Sequence, residues 1–207
     1  VLLPLALWFI MKPKIWRRSI SKMLPKVLLD WRQLAKLRGA RVVGIAGKAA
    51  KCRFVTEELG FDACVSHLSP TLAEDLAKAC PSGIDVYFEN VGGAHLDAAM
   101  GQMRALGRVP VCGMISAYNT KGARSEGVTT LSNMIYNRVA MKGFVVYEFF
   151  DMRDQFLADM RQWIAEGKMK YQETIMQGVE NAPNAMIGLL QGENSGKMLV
   201  QIGPETE

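Results

Sequence analysis

Short apolar runs alternate with segments of helical spacing along most of the chain. The runs are rich in β-branched residues and end at glycine or polar residues, which is typical of strands buried in a sheet. They lie at 41–47, 63–65, 84–90, 108–113, 143–147 and 197–202. Between them, apolar residues recur at the spacing of helices. These helices are predicted at 33–38, 51–59, 69–79, 95–106, 130–139 and 153–166.

The alternation of strands and helices predicts the fold class. It indicates βαβ units, and therefore a parallel sheet covered by helices on both faces. We predict an α/β fold, a doubly wound parallel sheet of the Rossmann type. The length of 207 residues suits one such domain with a small piece of another.

Composition and charge narrow the possible partners only slightly. The chain is 49% apolar and 22% charged, which is typical of a globular protein. A net charge of +5 favours an anionic partner, such as a phosphorylated cofactor or nucleic acid, but a solvated basic surface gives the same excess. No known nucleic-acid motif is present, so we expect no nucleic-acid partner.

Neither a metal site nor a membrane segment is expected. The four cysteines and two histidines are scattered, whereas zinc sites need closely spaced ligands. Single cysteines also indicate a reducing compartment, and we expect a cytoplasmic protein. Residues 1–10 are apolar but too few to span a bilayer, and positive charge follows them rather than precedes them.

Ligands of open α/β sheets bind beyond the carboxyl ends of the strands. After the first predicted strand come Gly47, Lys48, Lys51 and Arg53, and no acid lies between Arg41 and Thr56. An NAD site would place an acid here for the ribose 2′-hydroxyl, whereas cations suit the 2′-phosphate of NADP. The pattern therefore favours NADP(H), although exposed lysines at the start of a helix would give the same pattern without a cofactor.

Polar residues follow two further predicted strands. Asn90 begins an Asn-Val-Gly-Gly turn, in which glycine allows close backbone approach to a ligand. Residues 112–118 combine a glycine with hydroxyl groups. Tyr136 could deliver a proton, although a packed tyrosine is the commoner role. Asn194 is by default a turn residue.

Several stretches together resemble the zinc-independent medium-chain dehydrogenase/reductase superfamily. They include GARVVGIAG, GIDVYFENVGG, VPVCGMISAYN, GFVVYEF and ENAPNAMIGLLQGENSGKMLV. The resemblance is to the leukotriene/prostaglandin reductase and alkenal double-bond reductase branch, and it runs from about Gln33 to the C-terminus.

The resemblance implies roles for individual residues. Lys51 would contact the 2′-phosphate of NADP(H), and Asn90 would hold the middle of the cofactor. His67 stands where the family usually has a tyrosine near the adenosine phosphate. Tyr136 would orient or protonate the substrate enolate. The expected cofactor-binding set is Gly47, Lys51, His67, Asn90, Cys112, Gly113, Ile115, Ser116, Tyr118, Phe144, Val145, Val146 and Asn194.

The reaction implied is the reduction of the C=C bond of an α,β-unsaturated ketone or aldehyde by hydride from NADPH. The substrate would be a small enone or alkenal, no metal would be required, and the full-length form would be a homodimer. Quinone reduction is closely related chemistry. A non-catalytic nucleotide-binding or interaction module on the same fold is the alternative from another class.

The resemblance also predicts the domain organisation. Residues 33–170 would form the NADP-binding domain, and 171–207 would be the C-terminal part of a substrate-binding barrel domain. Residues 1–32 are anomalous, because the family has a barrel, a first strand and a glycine-rich turn before this point. A truncated or frameshifted reading of a longer gene is therefore expected, with little activity in this chain alone.

Overall fold

Parallel strands alternate with helices in the computed structural model, which describes residues 31–118, 127–170 and 172–203. The strands are β1 (Val43–Ala46), β2 (Ala63–Ser66), β3 (Ile84–Val86), β4 (Met103–Val111), β5 (Ala140–Gly143), β6 (Glu173–Gln177) and β7 (Lys197–Gln201). The predicted anomalous segment and its apolar start lie almost entirely outside the described residues.

Helices connect most of these strands. They are α1 (Trp31–Leu37), α2 (Ala49–Arg53), α3 (Leu72–Ala79), α4 (Gly93–Met100), α5 (Asn133–Tyr136), α6 (Arg153–Ala165) and α7 (Ala182–Leu190). A π-helical turn, Phe54–Glu58, continues α2, and 3-10 turns occur at Ile115–Ala117, Val146–Met152 and Val179–Asn181. No helix in the described part of the chain is long and apolar enough to cross a membrane.

The strands pair in three parallel groups. β1 pairs with β2, β3–β4–β5 form a second group, and β6 pairs with β7. The prediction of an α/β fold with parallel sheets is therefore confirmed. Among the described residues, β1 and β3 are not hydrogen-bonded to each other, and residues of both line one cavity.

Helix α4 holds the first two sheets together. Ala98 and Ala99 pack with Val65 of β2 and with α3, while Leu96 and Met100 pack with Val109 of β4. Ala99 and Met100 are completely buried. Because α4 contributes to both apolar clusters, it fixes the loop that precedes it relative to the ends of β1, β2 and β4.

Asp97 anchors α4 on its outer side. Its carboxylate accepts hydrogen bonds from the backbone N–H of Thr129 at 2.7 Å and of Thr130 at 2.9 Å. Burial raises the pKa of Asp97, but the hydrogen bonds from the two threonines lower it more, so the net shift is downward. The contact ties the segment before α5 to α4.

Several predicted element boundaries were wrong. The helix expected over 95–106 ends at Met100, because Met103 pairs with Ile84 and begins β4. The strand expected over 143–147 begins earlier and ends at Gly143, after which Val145 and Tyr147 are 56% and 71% exposed. Their apolar character therefore does not reflect burial in a sheet. Of the helix expected over 130–139, only the residues of α5 are α-helical.

Candidate functional site

A cavity of about 1390 Å³ runs through the gap between β1 and β3, from the residues that precede these strands to the residues that follow them. Its walls come from α1, from β1 and β3 with the segments on both sides of each strand, and from the turn before β7. The expected site residues in its lining are Gly47, Lys51, His67, Asn90, Ile115, Ser116 and Asn194. Residues far apart in the sequence are thus gathered at one edge of the strands, as the strand-end rule predicts.

A smaller cavity of about 420 Å³ adjoins the ends of β4 and β5. Four expected residues line it, Cys112, Gly113, Phe144 and Val145. Asn90 and Gly113 lie close together, since a Cβ added to Gly113 would be 2.6 Å from Oδ1 of Asn90. The loops after β3 and β4 therefore meet between the two cavities.

The remaining expected residues lie outside both cavity linings. Tyr118 is 66% exposed, and its hydroxyl lies near Gly113. Val146 packs against the apolar cluster around Phe149 and Phe156. Tyr136, the last residue of α5, is 78% exposed. The structure thus gathers most of the expected cofactor-binding set but leaves the expected proton donor apart from it.

The large cavity is predominantly basic. Its charged lining residues among those described are Arg41, Lys51, Asp85, Arg108 and Lys170. Lys51, on α2, donates a hydrogen bond from Nζ to the carbonyl oxygen of Gly192 at 2.7 Å. This bond brings the turn that carries Asn194 against the start of α2. Arg41 precedes β1 and Lys170 is paired with Glu58 at 2.9 Å, whereas Lys51 lies with the expected residues beyond the strand ends and favours an anionic group there.

Two histidines lie at the same end of the cavity. The rings of His67 and His95 have centroids 5.1 Å apart. His67 covers Gly47 so closely that a Cβ there would lie 2.7 Å from its Nε2. Burial, followed by the charge of His67, lowers the pKa of His95. Both rings can donate a hydrogen bond to an anion.

The turn after β3 is held by a buried carboxylate. Oε1 of Glu89 accepts hydrogen bonds from the backbone N–H of Val91 and of Gly92, the latter at 2.8 Å. Gly92 has φ 81°, a conformation that favours glycine. The carbonyl oxygens of Asn90 and Val91 accept hydrogen bonds from Ile115 and Ser116. This network fixes the backbone on which Asn90 stands.

Cys112 follows β4 beside this network. Burial raises the pKa of its thiol, so the side chain is an uncharged thiol at neutral pH. Among the described residues, no group of three or more His, Cys, Asp or Glu side chains could hold a metal ion.

Sequence reasoning missed two residues of this site, His95 and Glu89. Glu89 precedes the Asn90 turn directly, so its place at a strand end was available as a signal. His95 lies in the first turn of α4, where the strand-end rule can point to a helix start but not to the direction of a side chain.

Comparison with known proteins identifies the family. The family described as zinc-binding dehydrogenase matches residues 32–166, which is more than half of the chain. The chain belongs to this family. The resemblance to its prostaglandin and alkenal reductase branch is confirmed by the relatives that match.

Two relatives illustrate the similarity. The NADPH-dependent curcumin reductase of Escherichia coli is 43% identical over 174 residues, which cover 82% of this chain and 50% of the relative. The NADP(+)-dependent 2-alkenal reductase of Nicotiana tabacum is 40% identical over 174 residues, covering 84% of this chain and 50% of the relative. The chain spans about half the length of the curated relatives it matches.

A solved structure supports the same placement. The crystal structure of CurA in complex with NADPH from Vibrio vulnificus superimposes with a TM-score of 0.78 at 46% sequence identity. The match covers 84% of this chain and 53% of that structure. The described strands and helices therefore have the arrangement found in that NADPH complex.

Proposed function

We propose that this chain is the NADP(H)-binding part of a reductase that reduces the C=C bond of small enones and alkenals. The observation that carries the proposal is the end of the large cavity that lies beyond β1 and β3, where Lys51, Asn90 and Asn194 line the wall. The names of the similar curcumin and 2-alkenal reductases support the cofactor and the substrate class.

The residues present fit the phosphate groups of such a cofactor. Lys51 lies in the cavity wall with its ammonium group on a backbone carbonyl, a contact that a 2′-phosphate could replace with a stronger ion pair. His67 and His95 add two imidazoles beside Gly47. The cavity has the volume of a site for a large ligand.

The other residues of the two cavities would orient the cofactor. When bound, the nicotinamide would supply the hydride. Asn90 would hold the middle of the cofactor, and Cys112, Gly113, Phe144 and Val145 would border the nicotinamide from the smaller cavity. Tyr136 would meet the substrate oxygen once a substrate-binding part is present. We infer that this chain alone turns over slowly, since catalysis requires cofactor, substrate and proton donor in one geometry.

Two further properties belong to this proposal. We propose that a full-length form is a homodimer, which size-exclusion chromatography with light scattering would test. All four cysteines are free thiols in the structure, and this supports the proposed reducing, cytoplasmic compartment.

Isothermal titration calorimetry of the 207-residue chain with NADPH tests the proposal. We expect saturable binding with one site per chain. Absence of binding at millimolar NADPH would contradict the function for this chain. The alternative, a non-catalytic nucleotide-binding module, predicts binding as well. It differs in that a full-length version would show no consumption of NADPH with a 2-alkenal.

A further inference from the structure

Glu89 is a buried carboxylate whose two oxygens differ in their hydrogen bonding. The side chain has no exposed surface, and among the described residues its Oε2 has no hydrogen-bond partner. Burial raises its pKa, which shows that its environment opposes the charged form. Burying a carboxyl group in this way costs stability unless its hydrogen bonds compensate. A buried carboxyl group at a strand end of the candidate site therefore indicates a function other than stabilising the fold.

Beside the Tyr87 side chain, the Glu89 carboxyl group is hydrogen-bonded to the turn that follows it, and its backbone is bonded to the end of β4. Its Oε1 accepts from the N–H groups of Val91 and Gly92. Its backbone N–H donates to Pro110 at 2.9 Å, and its carbonyl oxygen accepts from Cys112 at 2.8 Å. Glu89 therefore holds the turn after β3 through its side chain and joins that turn to the end of β4 through its backbone.

The position of Asn90 is also limited by the loop after β4. Its Oδ1 faces Gly113 across a gap that a methyl group would close, and its carbonyl oxygen accepts from Ile115 at 3.1 Å. If the N–H groups of Val91 and Gly92 lost their acceptor, the Asn90 turn could rotate away from Gly113. The carboxylate of Glu89 and the backbone N–H groups of Ile115 and Ser116 therefore hold the same turn that carries Asn90.

We propose that Glu89 is a positioning residue, whose carboxylate holds the Val91 and Gly92 N–H groups and thereby sets Asn90 for the cofactor. Its effect on the cofactor rests on the proposed function. Its effect on the turn does not, and it can be measured without NADPH. The two claims can therefore fail separately.

Amide hydrogen exchange of the ¹⁵N-labelled chain, followed by NMR, tests the effect on the turn. In Glu89→Ala, the Val91 and Gly92 amides should exchange about 10-fold faster relative to the amides of β4, because their acceptor is gone. Glu89→Gln keeps a carbonyl oxygen at the same reach, and exchange should stay within about 3-fold of the unmodified chain. Val109→Ala, a substitution of a buried residue of β4, is the control for general loss of stability.

Glu89→Asp provides the same test if the alanine variant does not fold. It keeps the charge but is one methylene too short to reach the two N–H groups, so their exchange should accelerate as in the alanine variant. Equal relative exchange rates at Val91 and Gly92 in Glu89→Asp, Glu89→Gln and Val109→Ala would overturn the positioning role.

Calorimetry with NADPH then tests the consequence for the cofactor. The Kd should rise about 10-fold in Glu89→Asp and stay within about 3-fold in Glu89→Gln and Val109→Ala. Faster exchange with an unchanged Kd would refute the effect on the cofactor while leaving the effect on the turn intact. If the unmodified chain binds no NADPH, the proposed function fails, and the exchange data still decide whether Glu89 holds the turn.

Discussion

Replacement of Gly113 by alanine tests the contact at the centre of the proposed site. The added Cβ would lie 2.6 Å from Oδ1 of Asn90, whereas ordinary contacts begin at 3.4 Å. The amide of Asn90 would therefore have to move by roughly 0.8 Å, the difference between these two distances. The backbone of Gly113 is not left-handed, so alanine itself introduces no backbone strain.

The magnitude follows from the hydrogen bond that Asn90 would make to the cofactor. Misplacing one uncharged hydrogen bond costs about 0.5–1.5 kcal/mol, which corresponds to about a 2- to 12-fold rise in the Kd for NADPH. Folding stability should change little, because replacing glycine lowers the entropy of the unfolded chain and offsets part of the local strain. Calorimetry gives the Kd, and urea unfolding gives the stability.

Gly101→Ala is the matched control. Gly101 ends α4 with helical φ and ψ, and its added Cβ would meet only ordinary contacts at 3.5 Å or more. Both variants gain one methyl group, but only Gly113→Ala should weaken NADPH binding. Equal Kd values for the two variants would refute the reasoning that Asn90 contacts the cofactor.

Three further predictions concern other parts of the structure. His95 has a lowered pKa, so the unfolded state takes up its proton first as the pH falls; its contribution to stability is full above about pH 6.5 and lost below it. His95→Gln should flatten the unfolding free energy over that range in urea titrations at several pH values, and an unchanged slope would exclude His95 as the source. Leu96→Ala should cost about 2–5 kcal/mol in urea unfolding, because Leu96 is 2% exposed and packs against the β3–β4–β5 sheet; a loss below about 1 kcal/mol would show that α4 is not held on that sheet by this side chain. In a longer version that carries a substrate-binding part, Tyr136→Phe should lower turnover of a 2-alkenal by about 10²–10⁴-fold, measured by NADPH absorbance; unchanged turnover would remove Tyr136 from the mechanism.

The sequence predicted the strand-end residues of the site better than the element boundaries. Gly47, Lys51 and Asn90 were found because parallel strands place their carboxyl ends at one edge, a rule that needs only the approximate end of each strand, whereas His67 came from the family resemblance. The structure brings all of them to the wall of one cavity. Their contacts with a cofactor stay a prediction.

Pairing between distant residues explains the errors. The stretch from Met103 to Leu106 has helical apolar spacing, yet Met103 pairs with Ile84, and Leu106 adopts φ 64° before Gly107. The local spacing of apolar residues does not show which strand will pair with this stretch, and that pairing decides whether the stretch forms helix or strand. β6 and α7 were not predicted, although β6 pairs along its whole length with β7.

Glu89 shows a second limit of the sequence. A glutamate beside an asparagine and two glycines reads as part of a polar turn, and nothing in that pattern indicates complete burial. Burial arises only when the loops after β3 and β4 close over the side chain. The sequence therefore located the site but not the residue that holds its turn.

Comparison of NADPH with NADH binding tests the central claim most directly. The account predicts saturable binding with a lower Kd for NADPH in the unmodified chain, because the Lys51 ammonium group lies in the cavity wall beside Gly192 and suits a 2′-phosphate. In Lys51→Ala, the Kd for NADPH should rise by the equivalent of about 1–3 kcal/mol, and that for NADH should hardly change. Equal affinities of the unmodified chain for the two cofactors, or equal losses for both in Lys51→Ala, would contradict the account.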